Sequence, residues 1–357
     1  MSIGVRRGRF PRFKGRSRNA THPNGSTILD VADDARQATR VSRASTAEYR
    51  AGVRLTNLDQ PLFDGAGATK RDLVNYLDAV RDRILPGLRH RPLSVIRVRP
   101  GQQPFMQKNV PNYAPDWVRT ITVWAESSRR DVAYVVCDDR RTLLWLANQR
   151  AVEYHPALVD VKASQTHLVL DLDPPTGDIF ARVVRAALLV RQALTDAGLV
   201  GAVKTSGSKG LHVFVPLSDR VTIEEAAAAT RALAARAERL DPDVATTAFI
   251  REDRGDKVFL DSTRSGGATV VATYSPRVRP GVPVSFPVAW DELDRVVPGD
   301  FTIHTAAALL VGGDLWHERM PEPQLLPADL VEEGRAIPIA RVQAMHEGKR
   351  RARARRQ

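Results

Sequence analysis

Two aspartates stand two residues apart at the end of an apolar run, in the sequence HLVLDLD that ends at Asp173. Side chains alternate between the faces of a β-strand, so Asp171 and Asp173 are predicted to project from the same face. Two neighbouring carboxylates repel each other unless a cation lies between them. Mg²⁺ and Mn²⁺ prefer oxygen ligands, so the pair favours such an ion over zinc. Taken alone, the pattern favours a helix cap beside a solvated aspartate over a metal site.

A third carboxylate and a glycine-containing loop make the metal interpretation more specific. Asp261 ends a second apolar run, KVFLD. Between the two runs lies SGSKGLH, in which Ser206, Lys209 and His212 offer donors and positive charge to phosphate oxygens. Its glycines let the backbone approach a ligand closely. Carboxylates that bind metal and a loop that binds phosphate are the two halves of a phosphoryl-transfer site.

The hydrophobic pattern predicts the elements that must position these residues. Apolar alternation predicts strands at 93–98, 120–124, 132–136, 167–173, 202–205, 211–217, 257–261 and 268–274. Helical spacing predicts helices at 69–85, 142–150, 178–197, 223–240 and 302–311, with Pro86 ending the first. Thr222 and Glu225 form a capping-box pattern before the fourth helix. We therefore expect an α+β or mixed α/β fold, with mixed β-sheets flanked by helices.

Composition and charge limit the class of protein. The chain has 357 residues with 43% hydrophobic content, enough for a sizeable core. Its apolar runs are too short for a membrane span, and Cys137 is the single cysteine, so we expect a cytoplasmic, nucleoid-associated protein. The net charge of +12 is concentrated at the ends: residues 1–20 carry +7 and residues 341–357 carry +6. Such basic tails suit a polyanion such as nucleic acid, although they could also serve only solubility.

The domain organisation follows from the same patterns. We expect a basic, disordered N-terminal arm at 1–48 and a basic, disordered C-terminal tail at 331–357. The catalytic domain is expected at 49–330. Within it we expect a DNA-binding part at about 49–150 and a catalytic sheet at about 151–320.

The order DLDP, SGSKGLH, KVFLD resembles the three motifs of the archaeo-eukaryotic primase superfamily, most closely the polymerase domain of bacterial DNA ligase D. Further similarity lies in LTNLD, QPFMQK, WLANQRAVEYH and TYSPR, and it covers roughly residues 50–320. The resemblance implies a primase-polymerase catalytic core that performs metal-dependent nucleotidyl transfer. Because no ligase or nuclease module is found in the sequence, we expect a stand-alone relative.

The resemblance also implies roles for individual residues. Two Mn²⁺ or Mg²⁺ ions would be bound by the catalytic residues Asp171, Asp173 and Asp261. The incoming nucleotide would contact His155, Ser206, Lys209, His212, Arg254 and Arg277. DNA would contact Asn57, Lys70, Phe105 and Lys108. Phe105 would stack on a template base, although it could equally be a core phenylalanine.

One position departs from the pattern of the family. Relatives that act in end joining bind a downstream 5′-phosphate with an asparagine and two lysines, and these match Asn57, Gln60 and Lys70. Gln60 replaces the first lysine, and a neutral amide cannot form the charge-assisted bond to phosphate. We therefore expect weakened 5′-phosphate recognition, or recognition by the N-terminal arm instead.

The function expected from the resemblance is primer extension or short-gap filling in DNA repair, with ribonucleotides accepted. Expected partners are gapped or primer-template DNA, NTP or dNTP, and Ku and a DNA ligase acting in trans. The alternatives within this class are an end-joining polymerase and a primer-synthesising primase. Outside it stand a haloacid-dehalogenase-like phosphatase, which Pro175 disfavours, a Walker-type ATPase, and a non-enzymatic DNA-binding module.

Overall fold

A computed structural model gives the fold of residues 48–125, 129–175, 180–310, 312–339 and Met345. The described chain contains several β-sheets with helices packed on them, which confirms the predicted mixed α+β class. None of its helices is long and apolar enough to cross a membrane. Most of the predicted N-terminal arm and the arginine-rich end of the predicted tail lie outside the described residues, and the domain division itself stays a prediction.

The first sheet is built from the N-terminal half of the described chain. It contains β3 (Leu93–Arg99), β4 (Gln102–Gln107), β5 (Thr120–Ala125) and β6 (Arg130–Val135), in the order β4-β3-β6-β5, and β7 (Ala151–Pro156) also pairs with β3. A separate hairpin, β1 (Glu48–Arg50) and β2 (Val53–Leu55), precedes them. Helices α1 (Lys70–Ala79), α2 (Arg81–Leu88) and α3 (Arg140–Asn148) share a hydrophobic core with β3 and β7.

The second sheet carries the motif residues. Its strands are β8 (His167–Asp173), β9 (Ala202–Thr205), β10 (Leu211–Pro216), β11 (Ala245–Thr246), β12 (Val258–Asp261) and β13 (Pro287–Val288). The strand order is β11-β12-β8-β10-β9-β13, and all pairs are antiparallel except β11 with β12. Helices α4 (Phe180–Asp196) and α5 (Ile223–Leu240) cover one face of this sheet.

Alternation along β8 decides which residues face the helices. Leu168, Leu170 and Leu172 join the core formed with α4 and α5. The alternate residues, including Asp171 and Asp173, therefore project from the opposite face. Helix α5 begins as predicted: Thr222 and Glu225 form the reciprocal capping box.

Two predicted helices differ from the structure. The helix at 69–85 is two helices, because α1 ends at Ala79 with Val80 as its C-cap, and α2 continues through Pro86 to Leu88. The helix at 302–311 is absent from the described residues of that segment, which form turns and a short 3₁₀ turn at Ala308–Leu310. Here the Thr305 hydroxyl donates to the carbonyl of Asp300 and accepts from the amide of Thr302. Such local side-chain bonds compete with a helix.

The predicted strand at 268–274 is also wrong. The segment follows β7, with the amide of Ala272 donating to the carbonyl of Tyr154, but regular pairing is limited to one bridge between Ala157 and Thr269. Tyr274 then adopts a positive φ of 67°, which ends any extended run.

The C-terminal part of the described chain contains two helices that the sequence pattern missed. These are α6 (Leu315–Arg319) and α7 (Ala328–Ala336). Leu330 and Val331 on α7 are buried in the core that includes α5. Residues 331–336, assigned to the tail by the sequence pattern, thus belong to a packed helix.

Candidate active site

Four polar residues form one row across the second sheet. The strand register places Asp261 of β12 and His212 of β10 directly opposite Asp171 of β8, one on each side. Lys204 of β9 lies opposite His212 in turn. Residues opposite each other in antiparallel strands share a face and lie within side-chain reach. Strand pairing alone therefore gathers motif residues that are 90 positions apart in the sequence.

Arg264 connects the two carboxylates of this row. Its guanidinium lies 3.1 Å from Oδ2 of Asp171 and 3.2 Å from Oδ2 of Asp261. The other oxygens are also engaged: Nε2 of His212 lies 3.2 Å from Oδ1 of Asp171, and the amide and hydroxyl of Thr263 donate to Oδ1 of Asp261. Every oxygen of the pair thus has a partner.

The two β8 aspartates have opposite electrostatic environments. Burial would raise the pKa of Asp171, but the contacts with His212 and Arg264 outweigh it and lower that pKa to about 2. Asp173 lies at the exposed end of the strand and forms no hydrogen bond or ion pair with any residue that the structure describes. Partial removal of water, and then repulsion from Asp171, raise the pKa of Asp173 to about 6. The outer carboxylate is the one that lacks a cation.

His212 is oriented by a buried lysine behind it. Nζ of Lys204 lies 2.9 Å from Nδ1 of His212 and also donates to the carbonyl of Val271 and the hydroxyl of Ser285. Burial, followed by the charge of Lys204, lowers the pKa of His212 to about 4. The neutral ring accepts at Nδ1, so its proton is on Nε2 and points to Asp171.

The loop SGSKG is ordered by hydrogen bonds between the Ser206 hydroxyl and backbone amides of the loop. The hydroxyl of Ser206 accepts from the amides of Ser208 and Gly210. At Gly207, with φ +68°, a Cβ would lie 2.7 Å from both Arg277 Cγ and Ser285 N, and at Gly210 it would lie 2.2 Å from the carbonyl oxygen of Leu172. Only glycine permits this approach to β8.

A second polar cluster stands on β7. Nε2 of His155 lies 2.8 Å from the buried carboxylate of Glu153, which also pairs with Arg277 at 3.1 Å. These contacts, together with the amide of Val278, outweigh burial and lower the pKa of Glu153 to about 2. Arg277 in turn donates to the carbonyl of Ser206. Glu153 therefore joins the first sheet to the SGSKG loop.

These clusters open into one cavity of about 800 Å³. Among the predicted residues, its lining contains His155, Asp171, Asp173, Ser206, Lys209, His212 and Arg277. Asp261 lies behind Arg264, which does line the cavity. Arg254 does not line it: the side chain donates to the carbonyls of Ala248 and Phe249 and stacks on Phe259 at 3.6 Å.

The predicted 5′-phosphate residues lie close together, between Asn57 and the first residue of α1, and the side chains of Gln60 and Lys70 already have partners. Lys70 is only 2% exposed, and its Nζ donates to the carbonyl of Thr56 at 2.5 Å. Burial, and then the charge of Arg150, lower the pKa of Lys70 to about 8. The side chain of Gln60 accepts from Arg150 at 3.0 Å, and the backbone of Asn57 accepts from the amide of Gln60.

Phe105 belongs to a surface groove rather than to the core. It is half-buried between the guanidinium groups of Arg97 and Arg99, 5.9 and 4.9 Å from the ring centre. With Met106, which is 46% exposed, and Lys108 it lines a separate cavity of about 410 Å³. The alternative of an ordinary core phenylalanine is thereby disfavoured.

The sequence pattern missed three residues of the site: Glu153, Lys204 and Arg264. A signal existed for Glu153, because it stands two residues before His155 in AVEYHP, and strand alternation puts both on one face. Lys204 lies in a short, mostly apolar strand pattern that gives no signal of a role in the site. Arg264 lies in the turn after β12, where its direction depends on the fold.

Comparison with known proteins settles the family. A model of the primase-polymerase domain of LigD matches residues 69–316, which is more than half of the chain. The chain belongs to the LigD primase-polymerase family. The polymerase domain of Mycobacterium tuberculosis ligase D, solved in complex with DNA, is a structural match with 32% sequence identity and a TM-score of 0.69. That match covers 78% of this chain and 100% of that domain.

Curated relatives extend well beyond the shared region. The bifunctional non-homologous end joining protein LigD of Bacillus subtilis is 35% identical over 259 residues, 71% of this chain and 41% of that protein. The multifunctional non-homologous end joining protein LigD of Mycobacterium bovis is 35% identical over 263 residues, 70% of this chain and 34% of that protein. This chain thus spans less than half the length of either relative.

The donor set of the site fits the metal dependence general in such nucleotidyltransferases. Asp171, Asp173 and Asp261 supply only oxygen ligands, which suits a hard divalent cation. Asp171 and Asp261 are already bridged by a positive group, Arg264, whereas partial burial and repulsion from Asp171 raise the pKa of Asp173. As the side chains stand, no three His, Cys, Asp or Glu residues of the described chain are grouped to hold an ion.

Proposed function

We propose that this LigD-family chain is a template-dependent nucleotidyltransferase that extends primers or fills short gaps in DNA during repair. The observation that carries the proposal is the row of Asp261, Asp171 and His212, because Asp171 and His212 line the same cavity as the SGSKG loop. A phosphatase or an ATPase would need only part of this arrangement. A non-enzymatic DNA-binding module would need none of it.

Asp171, Asp173 and Asp261 are proposed to hold two Mn²⁺ or Mg²⁺ ions. When bound, such ions activate an attacking hydroxyl and stabilise the charge of an in-line phosphoryl displacement. The chain's own residues do the positioning: His212, held by Lys204, fixes one oxygen of Asp171, and Thr263 fixes one oxygen of Asp261. Both carboxylates are thus oriented before an ion arrives.

The opposite wall of the cavity is proposed to bind the triphosphate. Lys209 and Arg277 supply positive charge there, and Ser206 orders the loop amides. His155, fixed by Glu153, is proposed to contact the sugar or base of the nucleotide. Arg254 acts instead through its charge near Asp173 and Asp261.

DNA is proposed to follow the surface of the first sheet. Phe105 between two arginines offers a stacking platform for a template base, and Lys108 beside it offers charge to the backbone. Asn57 and Lys70 are proposed to contact downstream DNA, with reduced affinity for a 5′-phosphate because of Gln60. Residues 1–48 and 331–357 are proposed to add non-specific affinity through their positive charge.

Primer extension on a short gapped duplex tests the proposal. We expect nucleotide incorporation that follows the template base, stops in EDTA and resumes with Mn²⁺ better than with Mg²⁺. Phosphate release from a small phosphoester without template should be absent. The reverse pattern, phosphoester hydrolysis without extension, would contradict a polymerase.

The repair pathway and the preference for NTP or dNTP are a further part of the proposal. The names of the relatives favour end joining with Ku and a ligase acting in trans, whereas Gln60 favours gap filling without strict 5′-phosphate recognition. We expect NTP to be used at least as well as dNTP. Steady-state competition between the two on gaps with and without a 5′-phosphate measures both properties, and an unprimed template tests primer synthesis.

A further inference from the structure

We propose that Arg264 is an internal counter-ion that a divalent metal must displace from Asp171 and Asp261. The inference rests on the metal site of the proposed function. It assigns Arg264 control over how tightly and in what order ions bind.

The first step of the argument is which oxygens remain for an ion. Oδ1 of Asp171 is taken by His212, and Oδ1 of Asp261 is taken by two donors of Thr263. The remaining oxygens are Oδ2 of both aspartates, and Arg264 contacts both. An ion bridging the pair must therefore replace the guanidinium.

The second step concerns charge. A guanidinium offers two nitrogens in a fixed plane, so it can pair with two carboxylates at once, which an ammonium cannot do equally well. Left in place, its positive charge would repel an arriving cation at contact distance. Asp173 has no partner among the described residues, so it is the first carboxylate that an ion can reach.

The third step is where the side chain can go. The Arg264 side chain is 36% exposed and lines the same cavity as Ser206 and Lys209. Once released from the carboxylates, it lies within a pocket proposed to bind polyphosphate. Displacement by metal therefore adds a positive charge to the phosphate-binding wall, and the two ligands should favour each other's binding.

Binding of Mn²⁺ alone, measured by electron paramagnetic resonance of the full chain without nucleotide or DNA, tests the inference. We expect Arg264→Gln to bind Mn²⁺ at least fivefold more tightly than the wild type. Arg264→Lys keeps the charge but bridges less well, so it should fall between them. Arg279→Gln is the matched control, because Arg279 lines the same cavity without contacting either carboxylate; its affinity should change less than twofold.

Thermal melting supplies a second readout. In EDTA, Arg264→Gln should melt below the wild type because two buried carboxylates lose their partner, and Mn²⁺ should raise its melting temperature by more. If that variant fails to fold, Arg264→Lys decides: Mn²⁺ affinity above that of the wild type supports the inference, and equal or lower affinity overturns it.

The outcomes separate this inference from the function beneath it. Equal or weaker Mn²⁺ binding by Arg264→Gln, or equal tightening by Arg279→Gln, overturns the role of Arg264 and leaves the metal site standing. Failure of the wild type to bind Mn²⁺, or unchanged binding by Asp173→Asn, overturns the metal site itself.

Discussion

The catalytic row and the loop of residues 56–70 both gather polar side chains, but they do so by different means. Asp261, Asp171 and His212 are opposite one another because the strands pair in one register. In the segment 56–70, buried Lys70 donates to the carbonyl of Thr56, and the side chain of Gln60 accepts from Arg150. Strand register places motif residues side by side, so their joint role can be predicted from the sequence. Loop contacts, in contrast, decide whether a residue that matches the family pattern is available to bind a ligand.

The largest effect is expected at the three aspartates of the proposed metal site. Asp171→Asn, Asp173→Asn or Asp261→Asn should each lower templated extension at least about a thousandfold, about 4 kcal/mol of transition-state stabilisation, because metal binding is lost. Single-turnover extension measures this loss. Fluorescence anisotropy with gapped DNA is the control and should change little, since the basic tails and surface supply most of the binding charge. Extension by any variant within threefold of the wild type would remove that residue from the site.

A large but smaller effect is expected where the loop meets β8. Gly210→Ala places a Cβ 2.2 Å from the carbonyl oxygen of Leu172, so the loop must move away from the strand. Overpacking of this kind costs about 1–3 kcal/mol of unfolding free energy, and we expect extension to fall at least about tenfold. Gly299→Ala, in the same cavity with open space around its Cα, is the matched control. Equal behaviour of the two variants would mean that the close approach is unimportant.

The elements that sequence predicted well are those with a single local cause. Strand β8 and the capping box of α5 depend on alternation and on one short motif, and both are confirmed. The segment 268–274 has equally strand-like residues, but its pairing with the chain around β7 is limited to one bridge, and Tyr274 has a positive φ. Arg264 could not be predicted as a site residue, because the direction of its side chain depends on how β8 and β12 pair.

The raised pKa of Asp173 predicts a pH dependence. Asp173 has a pKa of about 6 without metal, above its unfolded value, so the folded apo-protein binds more protons and loses stability as pH rises through 6. In EDTA, Asp173→Asn should therefore melt above the wild type at pH 8 and close to it at pH 4. Mn²⁺ affinity of the wild type should fall about tenfold per pH unit below 6, because the ion displaces the proton. Mn²⁺ affinity that is flat from pH 5 to 8 would contradict the raised pKa.

The smallest effect is expected in the loop. Gln60→Lys should raise the preference for gaps carrying a 5′-phosphate by several-fold, because it adds a charge-assisted contact. The gain is limited because the new ammonium lies beside Arg150 and removes an acceptor from it. Gln60→Met is the neutral control. Strong 5′-phosphate dependence in the wild type that survives deletion of residues 1–48 and disappears in Lys70→Ala would show that the loop works without the lysine that Gln60 replaces.

Anomalous diffraction at the manganese edge tests the central claim most directly. Crystals of the full chain with Mn²⁺ and a non-reactive nucleoside triphosphate should show two peaks among Asp171, Asp173 and Asp261, with the triphosphate against Ser206 and Lys209. Arg264 should have left the carboxylates in the same maps. Peaks away from the three aspartates, or a triphosphate bound outside this cavity, would contradict the account.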